Sequence, residues 1–495
     1  MTTDLRPVGI AGVGVAAPSL RLAAGEVGRA WGTGGGRATL AVCDADEDTL
    51  TLAWLAAERA LEAAGKTPAQ VSGLWWGTTR PPFAEGPSHP FLAAALGLGG
   101  DVAGGLSAGS PHAGMEALVA AWDALAAGHA DVALVVTSDA LVPGLGTAGE
   151  TATGAGAGAL VLIAFSPSES NGSGPPARLV DRATRALPVV DRVRGDAEAG
   201  TGDVYDARLF REEVYLPLVA DVGAAIGGPP DRWALADPDG KLAAAAGRRL
   251  GGSLVSGEVR SALGDTGAAA GLLGAAGALD TPGSLGIVGY GGGRATAVAV
   301  EVQRPVPGAA DVAGRLAGGE PTSYTHLLRA RGQLEAQTDP IPMGLPPGGA
   351  AFVRGNAEML SLEGARCRAC GTVSTPPSVH PHCIACGGAD LEVVSLVRRG
   401  TIQTFVVNQT MPPPFQAPLP LVVLDLEDGA RLMVQGVPAD APEMAVGDQV
   451  FLTLRRYALE RGIPVYGYKA LRAGAAAEAG GPSGGPSARV QEVAK

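Results

Sequence analysis

Aromatic residues and cysteines are both scarce in this chain of 495 residues. Phe, Trp and Tyr make up 4% of it, and four of its five cysteines fall between positions 367 and 386. So few thiols, gathered in one segment, exclude a disulfide framework. A reducing cytoplasm is therefore the expected location.

A basic excess and long apolar runs are also missing. The chain has 37 Lys and Arg against 49 Asp and Glu, a formal net charge of −12. This charge repels phosphate backbones and anionic lipid, so neither nucleic acid nor a membrane is an expected partner. The apolar stretch at 266–279 consists mainly of Gly and Ala, which predicts no membrane-spanning helix.

Residues 8 to about 302 alternate short strand-like runs with Ala/Leu-rich helical runs, which indicates an α/β architecture. Two similar cycles are present, which predicts two related halves at 1–168 and 169–304. The first cycle contains 8–15, 50–65, 72–78, 115–128, 132–139 and 158–165, and the second contains 211–227, 241–252, 285–293 and 295–302.

The last third of the chain has a different composition. Several prolines lie in 305–350 around a helix-like run at 325–334, which predicts a linker with one docking helix. Strand-like runs at 400–407, 419–427, 430–437 and 449–456 predict a small β module at 395–472. The Ala/Gly/Pro/Ser-rich tail at 473–495 is predicted to be disordered.

The clustered cysteines are the strongest local motif, with the pattern CxxC, 12 intervening residues, and CxxC. A glycine follows each pair and permits the tight turn that lets four thiolates converge on one zinc. The spacing predicts a structural zinc ribbon at 351–394, with no open position for catalysis. Its ligands would be Cys367, Cys370, Cys383 and Cys386.

Residues from about 325 to 470 resemble the acyl-CoA-associated module that joins a rubredoxin-like zinc ribbon to an OB fold. The run TFVVNQTMPPPFQAPLPLVVLDLEDGARLMVQ carries the likeness. Modules of this family usually accompany thiolase-fold proteins, so the resemblance implies such a partner or fusion.

Residues 8 to about 302 resemble the thiolase superfamily, in particular its 3-hydroxy-3-methylglutaryl-CoA synthase and 3-ketoacyl-ACP synthase III branch. The resemblance implies a duplicated five-layered αβαβα fold, a coenzyme A thioester as substrate or ligand, and a homodimer. The segments that match are 47–61, 74–82, 106–139, 263–273 and 287–293.

The groups that a condensing enzyme of this family needs are missing. The expected cysteine falls at Ser110 or Pro111, and the expected glutamate is replaced by Thr79. The synthase histidine matches Tyr215, while the ketosynthase histidine and asparagine fall near Asp237 and Asp265. The resemblance therefore implies the fold more strongly than the chemistry.

Three substitutes for the missing groups have alternatives that remain open. Ser110 could be an oxygen nucleophile activated by His112, or an N-cap followed by Pro111 in the first helical turn. His112 could be a base or a hydrogen-bonded structural residue. Asp265 could orient a substrate or cap the next helix.

Two functional interpretations follow. In the first, the chain is an atypical acyltransferase or condensing enzyme that binds acyl-CoA or acyl-ACP and uses Ser110 or no covalent intermediate. In the second, it is a non-catalytic thiolase-fold scaffold or partner of a catalytic thiolase-like subunit. The fold alone does not decide between them.

Overall fold

The computed structural model describes residues 5–34, 36–166, 174–334, 356–409, 417–460 and 463–473. The chain forms two compact units. Unit 1 consists of Met1–His89 and Leu98–Leu334, and unit 2 consists of Pro90–Gly97 and Glu335–Lys495. Most of the predicted tail at 473–495 lies outside the described residues.

Thirteen strands are described up to Leu334. They are β1 (Val8–Ala16), β2 (Leu20–Ala23), β3 (Thr39–Val42), β4 (Gly73–Thr78), β5 (Ala103–Ala108), β6 (Val132–Ala140), β7 (Ala155–Ala164), β8 (Ala177–Ala186), β9 (Arg232–Leu235), β10 (Ser253–Leu254), β11 (Gly283–Gly291), β12 (Arg294–Val302) and β13 (Glu320–Thr322).

Eleven α-helices are described over the same part of the chain, and a π-helical stretch at Phe210–Tyr215 leads into the sixth. They are α1 (Ala24–Trp31), α2 (Thr49–Ala63), α3 (Ser88–Ala95), α4 (Ala113–Ala126), α5 (Ala207–Leu209), α6 (Leu216–Ala225), α7 (Leu242–Leu250), α8 (Gly257–Leu263), α9 (Ala270–Ala276), α10 (Val312–Leu316) and α11 (Tyr324–Ala330).

Ten of these strands form one hydrogen-bonded sheet in the order β10-β9-β11-β12-β8-β1-β7-β6-β4-β5. The order divides into two sets of five that meet where β1 pairs antiparallel with β8. Each set has two parallel pairs toward its outer edge and two antiparallel pairs toward the centre. The two predicted cycles of the sequence thus fold with the same topology.

Helices α4 and α9 lie between the two sets of strands. Helix α4 packs on β4, β5 and β6 and also on β11, while α9 packs on β9 and β11 and also on β1 and β7. Helix α2 covers β1, β6 and β7, and α6 covers β8, β11 and β12. The resulting order is helix, strands, helices, strands, helix.

Glycines permit this close packing at α4. A Cβ on Gly114 of α4 would lie 2.0 Å from the carbonyl oxygen of Ala268, and one on Gly77 of β4 would lie 2.4 Å from the oxygen of Ala113. Backbone therefore meets backbone here, with no room for a side chain.

Residues 305–334 are part of unit 1, which differs from the predicted linker at 305–350. Strand β13 pairs in parallel with β2, and Tyr324 at the start of α11 is buried in the same hydrophobic cluster as Leu22 and Leu40. Prolines therefore mark strand and turn positions here and do not by themselves indicate an extended linker. The predicted docking helix at 325–334 is observed as α11, and residues 335–350 lie outside the described residues.

Unit 2 begins, in its described C-terminal part, with α12 (Asn356–Leu360) and a three-stranded sheet in the order β15-β14-β16. A five-stranded antiparallel sheet follows, in the order β19-β18-β17-β20-β21. The strands are β14 (Glu363–Cys367), β15 (Val373–Ser374), β16 (Leu391–Ser395), β17 (Arg399–Asn408), β18 (Leu419–Leu426), β19 (Arg431–Gln435), β20 (Gln449–Glu460) and β21 (Ile463–Arg472).

The five-stranded sheet is a nearly closed small barrel. Its two edges approach each other where Gly436, just after β19, makes a bridge with Ala470 of β21. Strand β21 has no counterpart among the predicted strands, although its burial alternates along Pro464–Tyr468. Within the described ranges, no helix combines the length and the apolar character that crossing a bilayer requires.

Candidate functional sites

The loop from Gly109 to His112 joins the edge strand β5 to the central helix α4. The hydroxyl oxygen of Ser110 accepts a hydrogen bond from the backbone N–H of His112 at 3.2 Å, and its carbonyl accepts from Ala113 at 2.9 Å. The α-helix itself starts at Ala113, with His112 as its N-cap residue. The N-cap is thus His112, two residues after the predicted Ser110, because one additional turn lies between Ser110 and the helix.

The imidazole of His112 is buried and both of its nitrogens bind other side chains. Nε2 lies 2.8 Å from the hydroxyl of Thr296, and Nδ1 lies 3.2 Å from the carboxylate of Glu116. Glu116 in turn pairs with Arg294 at 2.8 Å. Burial lowers the pKa of His112, opposed by its hydrogen bond to Glu116.

These contacts bear on the hypothesis that His112 activates Ser110, which stays a prediction. The ring would have to release one of two partners to take a proton from the hydroxyl, and it meets Ser110 through its backbone N–H instead. The structure therefore favours the structural interpretation of His112.

A glycine turn between β11 and β12 lies against this loop. A Cβ on Gly292 would be 3.2 Å from the Ser110 hydroxyl oxygen, and one on Gly291 would be 2.5 Å from the backbone nitrogen of His112. Gly292 and Gly293 have φ angles of +57° and +71°, which glycine adopts without strain. The sequence signal for this turn is the run Gly289 to Gly293.

Thr79, which stands where the resemblance expects a glutamate, is bound to the buried carboxylate of Asp139. Its backbone N–H and hydroxyl donate to Asp139 at 2.9 and 2.5 Å. The hydroxyl of Thr78 and the N–H of Ala268 are the other donors, at 3.0 and 2.7 Å.

Burial raises the pKa of Asp139 to about 6, and its hydrogen bonds to Thr79, Ala268 and Thr78 oppose the change. The sequence predictions did not assign a role to this aspartate. The sequence feature that could have indicated a role is a single carboxylate near the end of the mainly apolar strand β6. Such a residue is costly to bury unless other groups bind it.

Asp265 lies in a backbone-bonded turn. Its N–H donates to Ala152 and its carbonyl accepts from Gly154, both at 2.8 Å. One carboxylate oxygen accepts from the N–H of Gly267 at 3.1 Å, and the other lies 3.4 Å from a guanidinium nitrogen of Arg192. The carboxylate thus holds the following short 3-10 helix and also faces a cation, so both interpretations stay open.

Tyr215 and Asp237, at the two positions where histidines are expected, are both engaged. The buried hydroxyl of Tyr215 donates to the carbonyl oxygen of Ala236, and burial raises its pKa well above the ordinary value. Asp237 accepts from the N–H of Leu242 at 3.0 Å, at the start of α7. Burial and the neighbouring Asp239 raise the pKa of Asp237 to about 6.

The four clustered cysteines converge in unit 2. Their sulfur atoms all lie within 4.8 Å of one another. The Sγ atoms of Cys367 and Cys386 are 3.6 Å apart, and those of Cys370 and Cys383 are 3.5 Å apart. Disulfides would need about 2.0 Å, whereas sulfurs around a tetrahedral zinc are separated by about 3.8 Å.

Two matching turns produce this convergence. The N–H of Gly371 donates to the carbonyl of Cys367 at 2.8 Å, and the N–H of Gly387 donates to that of Cys383 at 2.9 Å. Both glycines have positive φ angles, +77° and +72°. The donor set and spacing therefore fit a tetrahedral metal ion that prefers thiolates.

Comparison with known proteins gives a partial sequence match and a broad structural one. No protein-family model matches the chain. Hydroxymethylglutaryl-CoA synthase from Thermococcus sibiricus is 35% identical over 136 residues, which is 27% of this chain and 39% of that enzyme. The chain thus matches about two fifths of the length of this curated relative.

The structural likeness covers more of the chain. MvaS in complex with 3-hydroxy-3-methylglutaryl coenzyme A aligns with a TM-score of 0.57 and 22% identity, over 69% of this chain and 95% of MvaS. FabH, the 3-oxoacyl-(acyl carrier protein) synthase III from Pseudomonas aeruginosa, aligns with a TM-score of 0.52 and 21% identity, over 61% of this chain and all of FabH. The chain therefore contains the thiolase-like fold of these synthases.

Proposed function

We propose that unit 1 binds an acyl thioester of coenzyme A or of acyl carrier protein. It would do so with a hydroxymethylglutaryl-CoA synthase-like fold and without forming an acyl-cysteine intermediate. One observation carries this proposal. The loop that opens the central helix α4 has Ser110 and Pro111 where the family has its nucleophilic thiol, while the helix and the glycine turn beside it are retained.

The surrounding side chains support binding without condensation. A general base must reach the proton that it removes. His112, Thr79 and Tyr215 are instead held by Thr296, Asp139 and Ala236. This arrangement supports a non-catalytic partner of a catalytic thiolase-like subunit.

An atypical acyltransferase is the second candidate. The hydroxyl of Ser110 lies just before a central helix, where the helix dipole favours a developing oxyanion. Asp265 faces Arg192 and could orient a ligand. Both roles remain proposals, because a hydroxyl without a base is a weak nucleophile.

For unit 2, we propose a zinc ribbon followed by an OB fold. Cys367, Cys370, Cys383 and Cys386 would hold the zinc, which supplies folding free energy and keeps no position for water. The nearly closed five-stranded barrel supports the OB assignment.

We also propose a homodimer formed through unit 1. Strand β5 is the outermost strand of the ten-stranded sheet, and its sequence AGGLSA contains small residues and one leucine. An edge strand of this kind can pair with the same strand of a second copy. Light scattering on the purified chain measures the mass of the assembly.

Calorimetric titration of the purified chain with acetyl-CoA and butyryl-CoA tests the main proposal, followed by intact mass and free-thiol measurements. Binding with no adduct and no thiol release is the expected result. Absence of binding to both thioesters would contradict the proposal. An adduct that disappears in Ser110→Ala would instead establish the acyltransferase.

A further inference from the structure

The four clustered cysteines of unit 2 differ in their exposure to solvent. Cys367 and Cys383, the first cysteine of each CxxC turn, are 1% and 5% exposed. Cys370 and Cys386, the second cysteine of each turn, lie at the surface. Each turn therefore has one cysteine inside the module and one that a small molecule in solution can reach.

Small residues flank both exposed cysteines. Each has an alanine before it and a glycine after it, and these neighbours are exposed as well. A Cβ on Gly371 or Gly387 would meet no atom within 4 Å beyond its own chain neighbours. The surrounding chain thus leaves Cys370 and Cys386 accessible to a small oxidant.

The sulfur contacts join one turn to the other. The Sγ atom of the exposed Cys370 lies 3.5 Å from that of the buried Cys383, and the Sγ atom of the exposed Cys386 lies 3.6 Å from that of the buried Cys367. Each exposed sulfur therefore has a buried sulfur of the other turn beside it. A shortening of about 1.5 Å would bring either pair to disulfide distance.

An accessible thiolate with a second thiol beside it is the arrangement that thiol oxidation requires. Cysteines that bind a metal ion are deprotonated, and the thiolate is the form that attacks an oxidant. Oxidation first gives a sulfenic acid, which condenses with a neighbouring thiol to form a disulfide. In this cluster, the exposed cysteines would be oxidised first and the buried ones would complete the disulfides.

We propose that the cluster is a site of reversible oxidation, where hydrogen peroxide releases the zinc and converts the thiolates into two disulfides, Cys370–Cys383 and Cys367–Cys386. This inference rests on the zinc site proposed for unit 2. Disulfides in a reducing compartment are transient and serve redox sensing, so cellular thiols would restore the zinc-binding form.

Each disulfide forms in two steps that consume one peroxide. The exposed thiolate attacks a peroxide oxygen, the O–O bond breaks, and hydroxide leaves a sulfenic acid. The buried thiolate then attacks the sulfenic sulfur, the S–O bond breaks, and a second hydroxide leaves. The two sulfurs lose two electrons, which the peroxide takes up, and the zinc is released because its thiolate ligands are consumed.

Both disulfides connect the two turns, so they take over the cross-link that the zinc provides. A disulfide stabilises the folded module by restricting the unfolded chain. Removal of zinc from the reduced chain leaves neither a metal nor a covalent cross-link between the turns. The oxidised module should therefore keep the pairing of β14 with β15 and β16 better than the reduced, metal-free module does.

Treatment of the zinc-loaded full chain with hydrogen peroxide tests this inference. We expect zinc release, followed with a chromogenic chelator, in parallel with the loss of the four cluster thiols. Mass spectrometry of unreduced peptides should find the two disulfides between the turns. Dithiothreitol with added zinc should restore the metal. Cys43→Ser keeps the cluster intact, so this matched control should react like the wild type.

Two further measurements test the order of oxidation and the new cross-link. Dimedone, which traps sulfenic acids, should label Cys370 and Cys386 and leave Cys367 and Cys383 unlabelled. Limited proteolysis should cut unit 2 about 10-fold more slowly in the oxidised chain than in the reduced chain freed of zinc by a chelator.

Several results would overturn this inference while leaving the proposed zinc site intact. They are disulfides within a turn, sulfonic acids without disulfides, zinc that stays bound in excess peroxide, dimedone on the buried cysteines, and equal rates of proteolysis. A wild-type chain that binds no zinc would instead contradict the proposed zinc site, and this inference would fail with it.

Discussion

The cysteine cluster takes its four sulfur atoms from two short turns, whereas the Ser110 loop is surrounded by residues from five separate parts of unit 1. Each cysteine turn needs only its own glycine and one hydrogen bond. The residues that contact this loop or the start of α4, together with those that bind them, come from β4, β6, β11, β12 and the turn before α9. The cysteine site depends on residues that are close in sequence, whereas the Ser110 site depends on distant segments. The first can therefore keep its ligands when the second changes.

The largest expected effect is at the cysteine cluster. Cys367→Ser should abolish zinc binding, because three thiolates and a hydroxyl hold this metal poorly and structural zinc contributes about 10 kcal/mol or more to folding. Zinc content after gel filtration and limited proteolysis of unit 2 are the measurements. Cys43→Ser is the control and should keep one zinc per chain. A wild-type chain that binds no zinc would contradict this prediction and the proposed zinc site.

The second prediction concerns the close packing behind Ser110. Gly114→Ala should lower the free energy of unfolding of unit 1 by about 3 kcal/mol, because its methyl group would lie 2.0 Å from the oxygen of Ala268. Gly257→Ala, at the start of α8, has open space around it and should be neutral or stabilise by up to about 1 kcal/mol. Denaturant unfolding compares the two variants. Equal stabilities would contradict the packing argument.

The third prediction uses the pH dependence of Asp139. Its pKa rises from 3.8 to about 6 through burial, so the folded state holds the proton more tightly than the unfolded chain does. Stability from this group is therefore greatest at low pH and declines as pH rises from about 4 to 6. The change corresponds to about 3 kcal/mol.

Asp139→Asn should remove this decline, so the wild type should lose about 3 kcal/mol relative to the variant between pH 4 and 7. Unfolding titrations at several pH values provide the measurement. Asp123→Asn changes an exposed carboxylate paired with Arg182 and should follow the wild-type profile. Parallel curves for the wild type and Asp139→Asn would show that Asp139 is ionised throughout.

The smallest expected effect is that of restoring a thiol. Ser110→Cys should give no thiol release from acetyl-CoA, because His112 is bound by Thr296 and Glu116 and Thr79 by Asp139. Free-thiol assays and intact mass detect turnover and adduct, with Ser110→Ala as the control. Turnover in Ser110→Cys alone would contradict this prediction and show that a group of unit 1 can act as the base.

Much of the fold could be predicted from periodicity. Strands β1, β6 and β12 and helix α2 lie within one or two residues of their predicted bounds, because their apolar patterns are long and regular. Strand β5, with sequence AGGLSA, was not predicted, since small residues carry little strand signal. Strand β8 was also missed, because its second half is polar and partly exposed.

Some features of the candidate sites could likewise be predicted from the sequence, and others could not. The spacing of Cys367, Cys370, Cys383 and Cys386 predicted a cluster that the structure brings together. The sequence also placed Ser110 and His112 next to each other, but it could not reveal that the imidazole binds Thr296, 184 residues further along the chain. Asp139 stood in the sequence without any pattern that linked it to Thr79 or Ala268.

The sequence by itself determined the duplicated α/β pattern, the absent thiol at the start of α4 and the four-cysteine motif, because each depends on residue type and short spacing. Only the tertiary structure decided which groups meet around Ser110. The direction of a side chain and the burial of a charge depend on packing between distant strands. That packing binds the imidazole of His112 to Thr296 and Glu116, and the carboxylate of Asp139 to Thr79 and Ala268.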